Sequence, residues 1–301
     1  MSKIIIAGSS NIDMTVCVKS IPRPGETIGG GKFVQTNGGK GANQAVASGR
    51  MGGNPLFLTC VGDDANGHAL KEQLAKDGID TSMMKFSATE PTGVALIYVD
   101  EEGENCIAVA PGANADLLPE DIEAARAQIS EAEWMLLQLE IPMETVCKAV
   151  DVAYEAGVKV ILNPAPMFPV PDETLSKLFL ITPNETEAEK LTGIKVDNQA
   201  DARRAADALL SKGVKNVIIT MGSAGSMIFT ADGQTMIQAR KVKATDTTGA
   251  GDAYNGALVT GLAEGMTMEQ AAELATACSA ISVTRVGAQT AVPWRSEIDN
   301  N

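Results

Sequence analysis

The chain has 301 residues, of which 45% are hydrophobic and 21% are charged. This length and composition support a sizeable buried core and exclude an intrinsically disordered chain. The formal net charge of −14 argues against nucleic acid or an anionic membrane as a partner. Aromatic residues make up only 4% of the chain, which argues against a protein that works by stacking on bases.

The five cysteines are odd in number and far apart, and His68 is the only histidine. A zinc site would therefore have too few ligands, so we expect free, buried thiols in a reducing compartment. The short apolar run at the N-terminus does not make a signal peptide, and no apolar stretch approaches the roughly 20 residues that a membrane helix needs. These features predict a soluble, cytoplasmic protein.

Short apolar runs alternate with amphipathic helical patterns along most of the chain. Such runs, flanked by helices, are typical of a parallel sheet that is buried on both faces, and so of an α/β fold. The predicted strands are Lys3–Ala7, Leu56–Val61, Trp134–Leu139, Val158–Leu162, Phe179–Thr182 and Val217–Met221. The predicted helices are Ala42–Met51, Gly67–Asp77, Pro119–Ile129, Met143–Ala156, Glu185–Leu191 and Ala200–Lys212, with two more within Ala253–Val283.

Two segments, Asn11–Gln35 and Thr92–Ala110, break this alternation. Each contains strand-like runs joined by a turn, so we expect β-hairpins inserted into the α/β core. Inserted β-segments that cover one edge of a sheet make a natural lid for a cleft.

The strongest local pattern is Thr245–Asp252, which reads TDTTGAGD and precedes a helical pattern. Small residues let backbone N–H groups approach an anion, and a helix start adds unpaired donors and the positive end of its dipole. Asp252, in the first turn, could accept a proton from an attacking hydroxyl, as phosphoryl transfer requires. An ordinary helix N-terminus stabilised by aspartate would also fit this pattern. The glycine spacing matches neither a Walker A loop nor a dinucleotide-binding fingerprint.

Further polar clusters stand where ligands bind in open α/β sheets, at strand ends and helix starts. The segment Gly38–Gln44, GGKGANQ, opens a helix, and its Asn43 offers a donor and an acceptor suited to a sugar hydroxyl. Asn11 and Asp13 follow the first strand, where an Asx-type turn is the alternative interpretation. Asn184 and Glu187 fit either contacts to phosphates and Mg²⁺ or a helix cap.

Together, GGKGANQAVASGR (Gly38–Arg50), DTTGAGDAYNG (Asp246–Gly256) and Asn184-x-x-Glu187 resemble the ribokinase-like (PfkB) family of carbohydrate kinases. The resemblance spans nearly the whole chain. It implies a single domain over residues 1–301 with a three-layer α/β/α sandwich, a mainly parallel sheet and a small β-sheet lid from residues 12–36 and 91–110. It also implies Mg²⁺-dependent transfer of the γ-phosphate of ATP to the 5-hydroxyl of a small sugar, D-ribose first. A homodimer formed through the lid follows from the resemblance alone.

The resemblance also implies roles for individual residues. Asp252 is expected to be the general base, and the amides of Gly249, Ala250 and Gly251 the anion hole. The expected sugar contacts are Asn11, Asp13, Gly39, Lys40, Gly41, Ala42, Asn43, Glu140 and Asp252. The expected nucleotide contacts are Asn184, Thr220, Met221, Gly222, Ser223, Ala224, Gly225, Gly251, Asp252 and Thr276.

Two cation sites are implied in the same way. Glu187 is expected near Mg²⁺. A monovalent cation, normally K⁺, is expected at Asp246, Thr248, Ser282, Arg285, Gly287 and Ala291. At Ala291 the family commonly has serine, so one side-chain ligand is missing from this set.

Several alternatives stay open. The acceptor could be deoxyribose, another pentose, fructose or a nucleoside, although Asp13 and Asn43 favour a bare polyol and the lid has few aromatics to sandwich a nucleobase. A non-catalytic sugar-binding regulator on the same fold is opposed by the intact Asp252 and glycine loop. Lys40 fits a phosphate contact or an exposed side chain equally well, His68 is expected at the surface, and Asn163–Pro166 is expected only to turn the chain.

Overall fold

The apolar runs of the sequence form the central sheet of the protein. The computed structural model describes residues 3–299. Its strands are β1 (Ile4–Ala7), β2 (Asn11–Cys17), β3 (Lys32–Gly38), β4 (Leu56–Gly62), β5 (Met84–Ser87), β6 (Gly93–Val99), β7 (Asn105–Ala110), β8 (Trp134–Leu137), β9 (Lys159–Leu162), β10 (Leu180–Ile181), β11 (Asn216–Thr220), β12 (Gly225–Thr230) and β13 (Gly233–Gln238). Its α-helices are α1 (Lys40–Arg50), α2 (Ala65–Lys76), α3 (Pro119–Ala124), α4 (Arg126–Glu131), α5 (Met143–Glu155), α6 (Asp172–Leu175), α7 (Glu185–Thr192), α8 (Gln199–Ser211), α9 (Ala250–Ala263), α10 (Met268–Ser282) and α11 (Arg295–Asp299).

The large sheet has the strand order β13-β12-β11-β10-β9-β8-β1-β4-β5. In this sheet neighbouring strands pair in parallel across β5, β4, β1, β8, β9, β10 and β11. Strands β12 and β13 add an antiparallel hairpin at the β11 side. All six predicted strands are confirmed, with ends within two residues of the prediction. Strands β5, β12 and β13 were missed. Of these, β5 and β13 are the edge strands, which are partly exposed and carry a weaker apolar signal.

The sheet is buried on both faces because alternate side chains of each central strand enter two different cores. Ile5 and Ala7 of β1 pack in one core with side chains from α3, α5 and α8. Ile4 and Ile6 pack in the other with side chains from α1, α9 and α10. The predicted α/β architecture of helix, sheet and helix layers is therefore confirmed.

A second sheet of four strands, β3-β2-β6-β7, forms the lid. Two antiparallel hairpins, β2–β3 and β6–β7, are joined by parallel pairing of β2 with β6. Both hairpins were predicted, but β3 continues past residue 36 to Gly38, opposite Asn11. The lid therefore runs directly into the start of α1.

Two predictions about local structure were wrong. The helix predicted over Pro119–Ile129 is interrupted at Ala125, whose φ of −89° and ψ of 4° separate α3 from α4. The five thiols are free, but they are not all buried, because Cys17 and Cys106 lie on exposed parts of the lid. Within residues 3–299, the helices lack the combination of length and apolar character needed to cross a membrane.

Helices α1 and α9 cross at very short distance, and small residues make this possible. A Cβ atom on Gly256 of α9 would lie 2.4 Å from the Gln44 carbonyl oxygen and 2.5 Å from the Ala47 Cβ. Further along the crossing, the hydroxyls of Ser48 and Thr260 hydrogen-bond at 2.9 Å. This close approach brings the N-terminal ends of both helices together at one edge of the large sheet.

Replacing Gly256 by alanine should separate α1 from α9, because the new methyl group would meet backbone atoms that cannot rotate away. We expect a loss of about 2 kcal/mol or more in the free energy of unfolding, measured by urea denaturation. Gly251→Ala in the same helix is the matched control, because a Cβ there would have no atom within 4 Å. Equal stability of the two variants would contradict the close-packing argument.

Candidate active site

The site lies where the loops after several central strands meet the starts of α1 and α9. The chain leaves β1, β8 and β10 through Gly8–Ser10, Gln138–Glu140 and Thr182–Asn184. All three loops lie at the carboxyl edge of the parallel strands, where ligands bind in open α/β sheets.

Asp252 lies at the centre of this edge, in the first turn of α9, and its side chain is almost fully buried (4% exposed). Both of its carboxylate oxygens accept hydrogen bonds from α1. Asn43 Nδ2 donates to Oδ2 and Gln44 Nε2 donates to Oδ1, each at 3.0 Å. Amide donors stabilise the charged form of a carboxylate, so the arrangement suits an ionised proton acceptor.

The loop before Asp252 forms the start of α9. Gly249 precedes the helix with a φ of 72°, which favours glycine. The Ala250 amide donates to the Thr247 carbonyl at 3.2 Å, so one of the three predicted anion-hole donors already has a partner. Gly251 is exposed and faces open space, since a Cβ there would have no atom within 4 Å. The space in front of the helix start is thus open to an anion.

The start of α1 is fixed by residues from two neighbouring strands. Gly39 precedes the helix with a φ of 88°, and the Lys40 amide donates to Glu140 Oε2 at 2.9 Å. The same carboxylate oxygen accepts the Ser9 hydroxyl at 2.5 Å. Glu140 therefore caps α1 with a negative charge, which the helix dipole favours.

The amides of Gly41 and Ala42 are also used inside the protein. Gly41 N donates to the Ser9 hydroxyl oxygen at 3.3 Å, and Ala42 N donates to the Ser9 carbonyl at 2.8 Å. These two predicted sugar contacts therefore join α1 to the loop after β1, and both residues are buried. The Asn43 side chain is different, because its Oδ1 is buried and has no hydrogen-bond partner within residues 3–299.

Asn11 is held by a residue that the sequence analysis missed. Its Oδ1 accepts a hydrogen bond from Asn114 Nδ2 at 2.7 Å. Asn114 in turn accepts from the Ser10 amide at 2.8 Å and donates to the Pro111 carbonyl at 2.9 Å. Asn114 thereby connects the end of the lid to the start of β2.

Charged side chains from five segments of the chain interact here: β2, α1, the loop after β8, α7 and α9. Burial raises the pKa of Asp13 to about 6, and repulsion from Glu140 and Asp252 adds to this effect while Lys40 opposes it. The Asp252 carboxylate raises the pKa of Lys40 despite burial, and Glu140, Glu187 and Asp13 act in the same direction. Lys40 is therefore the positive centre of an otherwise acidic cluster.

Asn184 and Glu187 form a reciprocal capping box at the start of α7. Glu187 N donates to Asn184 Oδ1 at 2.8 Å, and Asn184 N donates to Glu187 Oε2 at 2.9 Å. Burial raises the pKa of Glu187, although the Asn184 amide and Lys40 act against it. The capping role that the sequence left open is thus present. Glu187 also lies close enough to Lys40 and Asp252 for their charges to act on it.

Among the residues of the predicted monovalent-cation site, hydrogen bonds link Asp246 to Thr248 and Gly287, and Ser282 to Arg285. Asp246 accepts hydrogen bonds from the Thr248 amide at 2.9 Å and the Gly287 amide at 2.8 Å. Burial would raise the pKa of Asp246, yet these hydrogen bonds outweigh it and hold the pKa below its ordinary value. The Ser282 carbonyl accepts from the Arg285 amide, and Ala291 N bonds to the Ala288 carbonyl in the short helix Gln289–Ala291.

The residues predicted to contact a nucleotide occupy one turn and one helix. Thr220 ends β11, and Gly222–Ala224 form an exposed 3₁₀ turn that leads into β12. The Met221 amide closes this turn on the Gly225 carbonyl at 2.8 Å. Thr276 lies on α10, which packs against β12 and β13, and is 9% exposed.

Three buried amides beneath Asp252 were not predicted as site residues. Gln44 stands beside Asn43 in the glycine motif, Gln138 ends an apolar run, and Asn163 was expected only to turn the chain. Asn163 Oδ1 instead accepts a hydrogen bond from Gln44, and Gln138 donates to Gln44 at 2.6 Å. For Gln138 and Asn163 the available signal was a polar residue at the end of a buried strand, and for Gln44 it was the place beside Asn43 in the glycine motif. His68 is exposed, as expected, and pairs with Asp63.

The raised pKa of Asp13 predicts a pH-dependent stability difference. Since the folded pKa is about 6 against an ordinary value of 3.8, ionised Asp13 destabilises the folded state, fully so above pH 6. Asp13→Asn should therefore raise the free energy of unfolding by about 1–2 kcal/mol at pH 7.5. The gain should shrink as pH falls from 6 towards 4, measured by urea denaturation across that range. A gain that stays constant with pH would contradict the charge argument.

Proteins of known activity share this architecture. The ribokinase of Haemophilus influenzae is 42% identical over 294 residues, which cover 98% of this chain and 96% of that protein. The deoxyribokinase of Salmonella typhi is 38% identical over 291 residues, which cover 96% of this chain and 95% of that protein. The structure of Arabidopsis thaliana ribokinase complexed with ribose and ATP matches with a TM-score of 0.92 at 31% identity, covering 99% of this chain and 97% of that chain.

The family model agrees with these pairwise similarities. The model described as the pfkB family of carbohydrate kinases matches residues 1–295. Both the family match and the aligned relatives include the lid, the start of α1 and the start of α9. The chain belongs to the pfkB family of carbohydrate kinases.

Proposed function

We propose that this chain transfers the γ-phosphate of ATP to the 5-hydroxyl of D-ribose, giving ribose 5-phosphate and ADP. Membership of the family makes the chain an ATP-dependent sugar kinase. The observation that carries the mechanism is the Asp252 carboxylate, which is buried, held by two amide donors and placed at the open start of α9. A relative solved with ribose and ATP supports the choice of acceptor and donor.

In this mechanism Asp252 is the general base. As the 5-oxygen of the sugar attacks the γ-phosphorus, its proton passes to the Asp252 carboxylate, and the bond to the β,γ-bridging oxygen breaks to release ADP. The charge that develops on the transferred group is stabilised by the amides of Gly249 and Gly251 at the positive end of α9. Lys40, whose charge is coupled to Asp252, would add a positive side chain.

The sugar would lie between Asp252 and the lid. The unpartnered Asn43 Oδ1 supports this placement. A buried amide oxygen without a hydrogen bond is unfavourable, and a sugar hydroxyl would supply the missing donor. Asn11 and Asp13 would contact the remaining hydroxyls, next to Gly39 and Glu140. Asp13 and Asn43 offer several acceptors at short spacing, which suits a polyol.

The nucleotide would lie along the turn Thr220–Gly225, with its adenine towards Thr276 and its phosphates towards Asn184. Mg²⁺ would be held near Glu187, largely through water and phosphate oxygens, and would neutralise phosphate charge. Asn184 and Glu187 can keep their capping bonds in that role, because a carboxylate has further acceptor positions.

A monovalent cation, K⁺ in the first instance, would occupy the loop that joins Asp246, Thr248, Ser282, Arg285, Gly287 and Ala291. The support is the Asp246 carboxylate, which joins Thr248 and Gly287 through their backbone amides and whose pKa is held below its ordinary value, in the loop directly before α9. Ala291 would contribute only its carbonyl. We also place the enzyme in the cytoplasm, where ATP is available and thiols stay reduced.

The lid supports a homodimer. Four of its apolar side chains are more than half exposed, namely Phe33 (58%), Leu96 (51%), Ile107 (53%) and Val109 (55%). By strand register, Phe33 and Leu96 lie on one face of the lid and Ile107 and Val109 on the other. Exposed apolar side chains on a small sheet are typical of an interaction surface, and a second copy of the lid is the occupant that we propose.

A second acceptor, 2-deoxy-D-ribose, is favoured by one observation. The deoxyribokinase of Salmonella typhi is almost as similar to this chain as the ribokinase of Haemophilus influenzae, at 38% against 42% identity. The two sugars differ by one hydroxyl group, so whichever residues contact that hydroxyl decide between them.

We expect ADP release in the presence of Mg²⁺, K⁺, ATP and D-ribose, and slower release with deoxyribose, fructose or adenosine, measured as kcat/KM in a coupled assay. Asp252→Asn should lower kcat by about 10²- to 10⁴-fold, while the KM for ribose changes far less. Asp232→Asn, an exposed aspartate in the turn between β12 and β13, is the control and should behave as wild type.

Two outcomes would contradict the proposal. Near-normal turnover of Asp252→Asn would remove the assigned base. If ribose raised the melting temperature but no acceptor supported ADP release, the protein would be a sugar-binding regulator.

The cation site predicts a dependence on the monovalent ion. Replacing K⁺ by tetramethylammonium at constant ionic strength should lower the kcat of the wild type severalfold, because the organic cation is too large for the loop. Asp246→Asn should be slow in both salts, whereas Asp232→Asn should keep the wild-type response. Equal wild-type rates in both salts would rule out the site.

A further inference from the structure

A connected group of buried amides lies beneath the Asp252 carboxylate, on the side away from the open cleft. Gln44 is fully buried, and its Nε2 donates to both Asp252 Oδ1 and Asn163 Oδ1 at 3.0 Å. Gln138, also fully buried, donates from Nε2 to Gln44 Oε1 at 2.6 Å. Asn163 Nδ2 donates to the Thr182 carbonyl at 3.3 Å.

The direction of every hydrogen bond in this group follows from the charge of Asp252. An ionised carboxylate only accepts, so the NH₂ group of Gln44 must face it. The carbonyl oxygen of Gln44 then points the other way and requires a donor, which Gln138 supplies. Asn163 must present its oxygen to Gln44 and its nitrogen to the Thr182 carbonyl, as observed.

The group is anchored at the ends of central strands of the large sheet. Gln138, Asn163 and Thr182 directly follow β8, β9 and β10, which are adjacent parallel strands of the large sheet. Gln44 lies on α1, which is held against α9 by the close contact at Gly256. The amide that faces Asp252 is thus fixed from two sides.

We propose that Gln44 is a positioning residue for the base, and that Gln138 acts through Gln44 by fixing the orientation of its amide. This inference rests on the proposed role of Asp252. Asn43 holds Oδ2 at the cleft, next to the unpartnered oxygen that would meet the sugar. Gln44 holds Oδ1 from inside the protein, and its N–H stabilises the charged form of the carboxylate.

Charged groups from other elements also lie near Asp252. Asp13 from β2, Glu187 from α7 and Lys40 from α1 each interact electrostatically with its carboxylate. Glu140, after β8, couples to Asp13 and Lys40. The variants proposed below change none of these four residues, so their effect can be assigned to Gln44.

The test measures kcat and the KM for ribose between pH 5.5 and 9 for Gln44→Glu and Gln44→Met. Glutamate would place a second carboxylate against Asp252, so we expect kcat at pH 7 to fall about ten- to a hundredfold and the acid limb of the kcat profile to move up by about one pH unit or more. Methionine removes the donor without adding charge and should lower kcat about tenfold, with a smaller shift in the same direction. The KM for ribose should change less than about threefold, because Asn11, Asp13 and Asn43 are intact.

A double-mutant comparison tests whether Gln138 acts through Gln44. Gln138→Met should lower kcat severalfold in the wild-type background and have no further effect in the Gln44→Met background. Independent effects of the two substitutions would overturn that part of the proposal.

Ser48→Ala is the matched structural control. Ser48 lies on α1 one turn beyond Gln44 and bonds to Thr260 of α9, so its loss weakens the same helix contact without touching Asp252. It should lower the melting temperature but leave the pH profile of kcat unchanged. A shifted profile in this variant, or an unshifted one in both Gln44 variants, would overturn the positioning role.

Different results would contradict the proposed function and the positioning role of Gln44. If Asp252→Asn keeps normal turnover, the proposed function fails. If Asp252→Asn is inactive and both Gln44 variants show wild-type kcat and pH dependence, only the positioning role fails. If Gln44→Glu does not fold, as judged by the loss of a cooperative melt, Gln44→Met decides by the same criteria.

Discussion

The hydrogen bonds between α1 and the Asp252 carboxylate are the constraint on which the rest of the site depends. They require α1 and α9 to approach within the reach of two amide side chains, and the absence of a side chain at Gly256 permits that approach. The same contact sets where α1 begins, and so where Gly39, Lys40 and the end of the lid lie. One helix crossing thus fixes both the Asp252 carboxylate and the start of α1 that faces it.

The site is acidic, like the chain as a whole. A chain of net charge −14 gathers Asp13, Glu140, Glu187 and Asp252 around a single lysine. Phosphate binding in such surroundings depends on local dipoles, because the N–H groups at the start of α9 act at short range while distant carboxylates are screened. Lys40 balances the carboxylates that remain close, and its own charge is stabilised by them.

Several residues of the site also stabilise the fold. Glu140 caps α1, Asn184 and Glu187 cap α7, and Asn114 ties Asn11 to the end of the lid. Caps and ligand contacts need the same groups, namely short polar side chains at helix starts and strand ends. This overlap explains why both interpretations of Asn184 and Glu187 fitted the sequence equally well.

The sequence by itself determined the central strands, most helices, both hairpins and the two glycine-rich helix starts, because these depend on local periodicity and on residues close together in the chain. Tertiary structure alone decided how Gln44, Gln138 and Asn163 join Asp252, across 94 to 208 residues of chain. It also decided which thiols are exposed, since Cys17 and Cys106 lie on the separate four-stranded sheet of the lid and not in the buried large sheet. Side chains form hydrogen bonds when they lie close together in the folded protein, and the spacing of residues along the chain does not show which distant residues will do so.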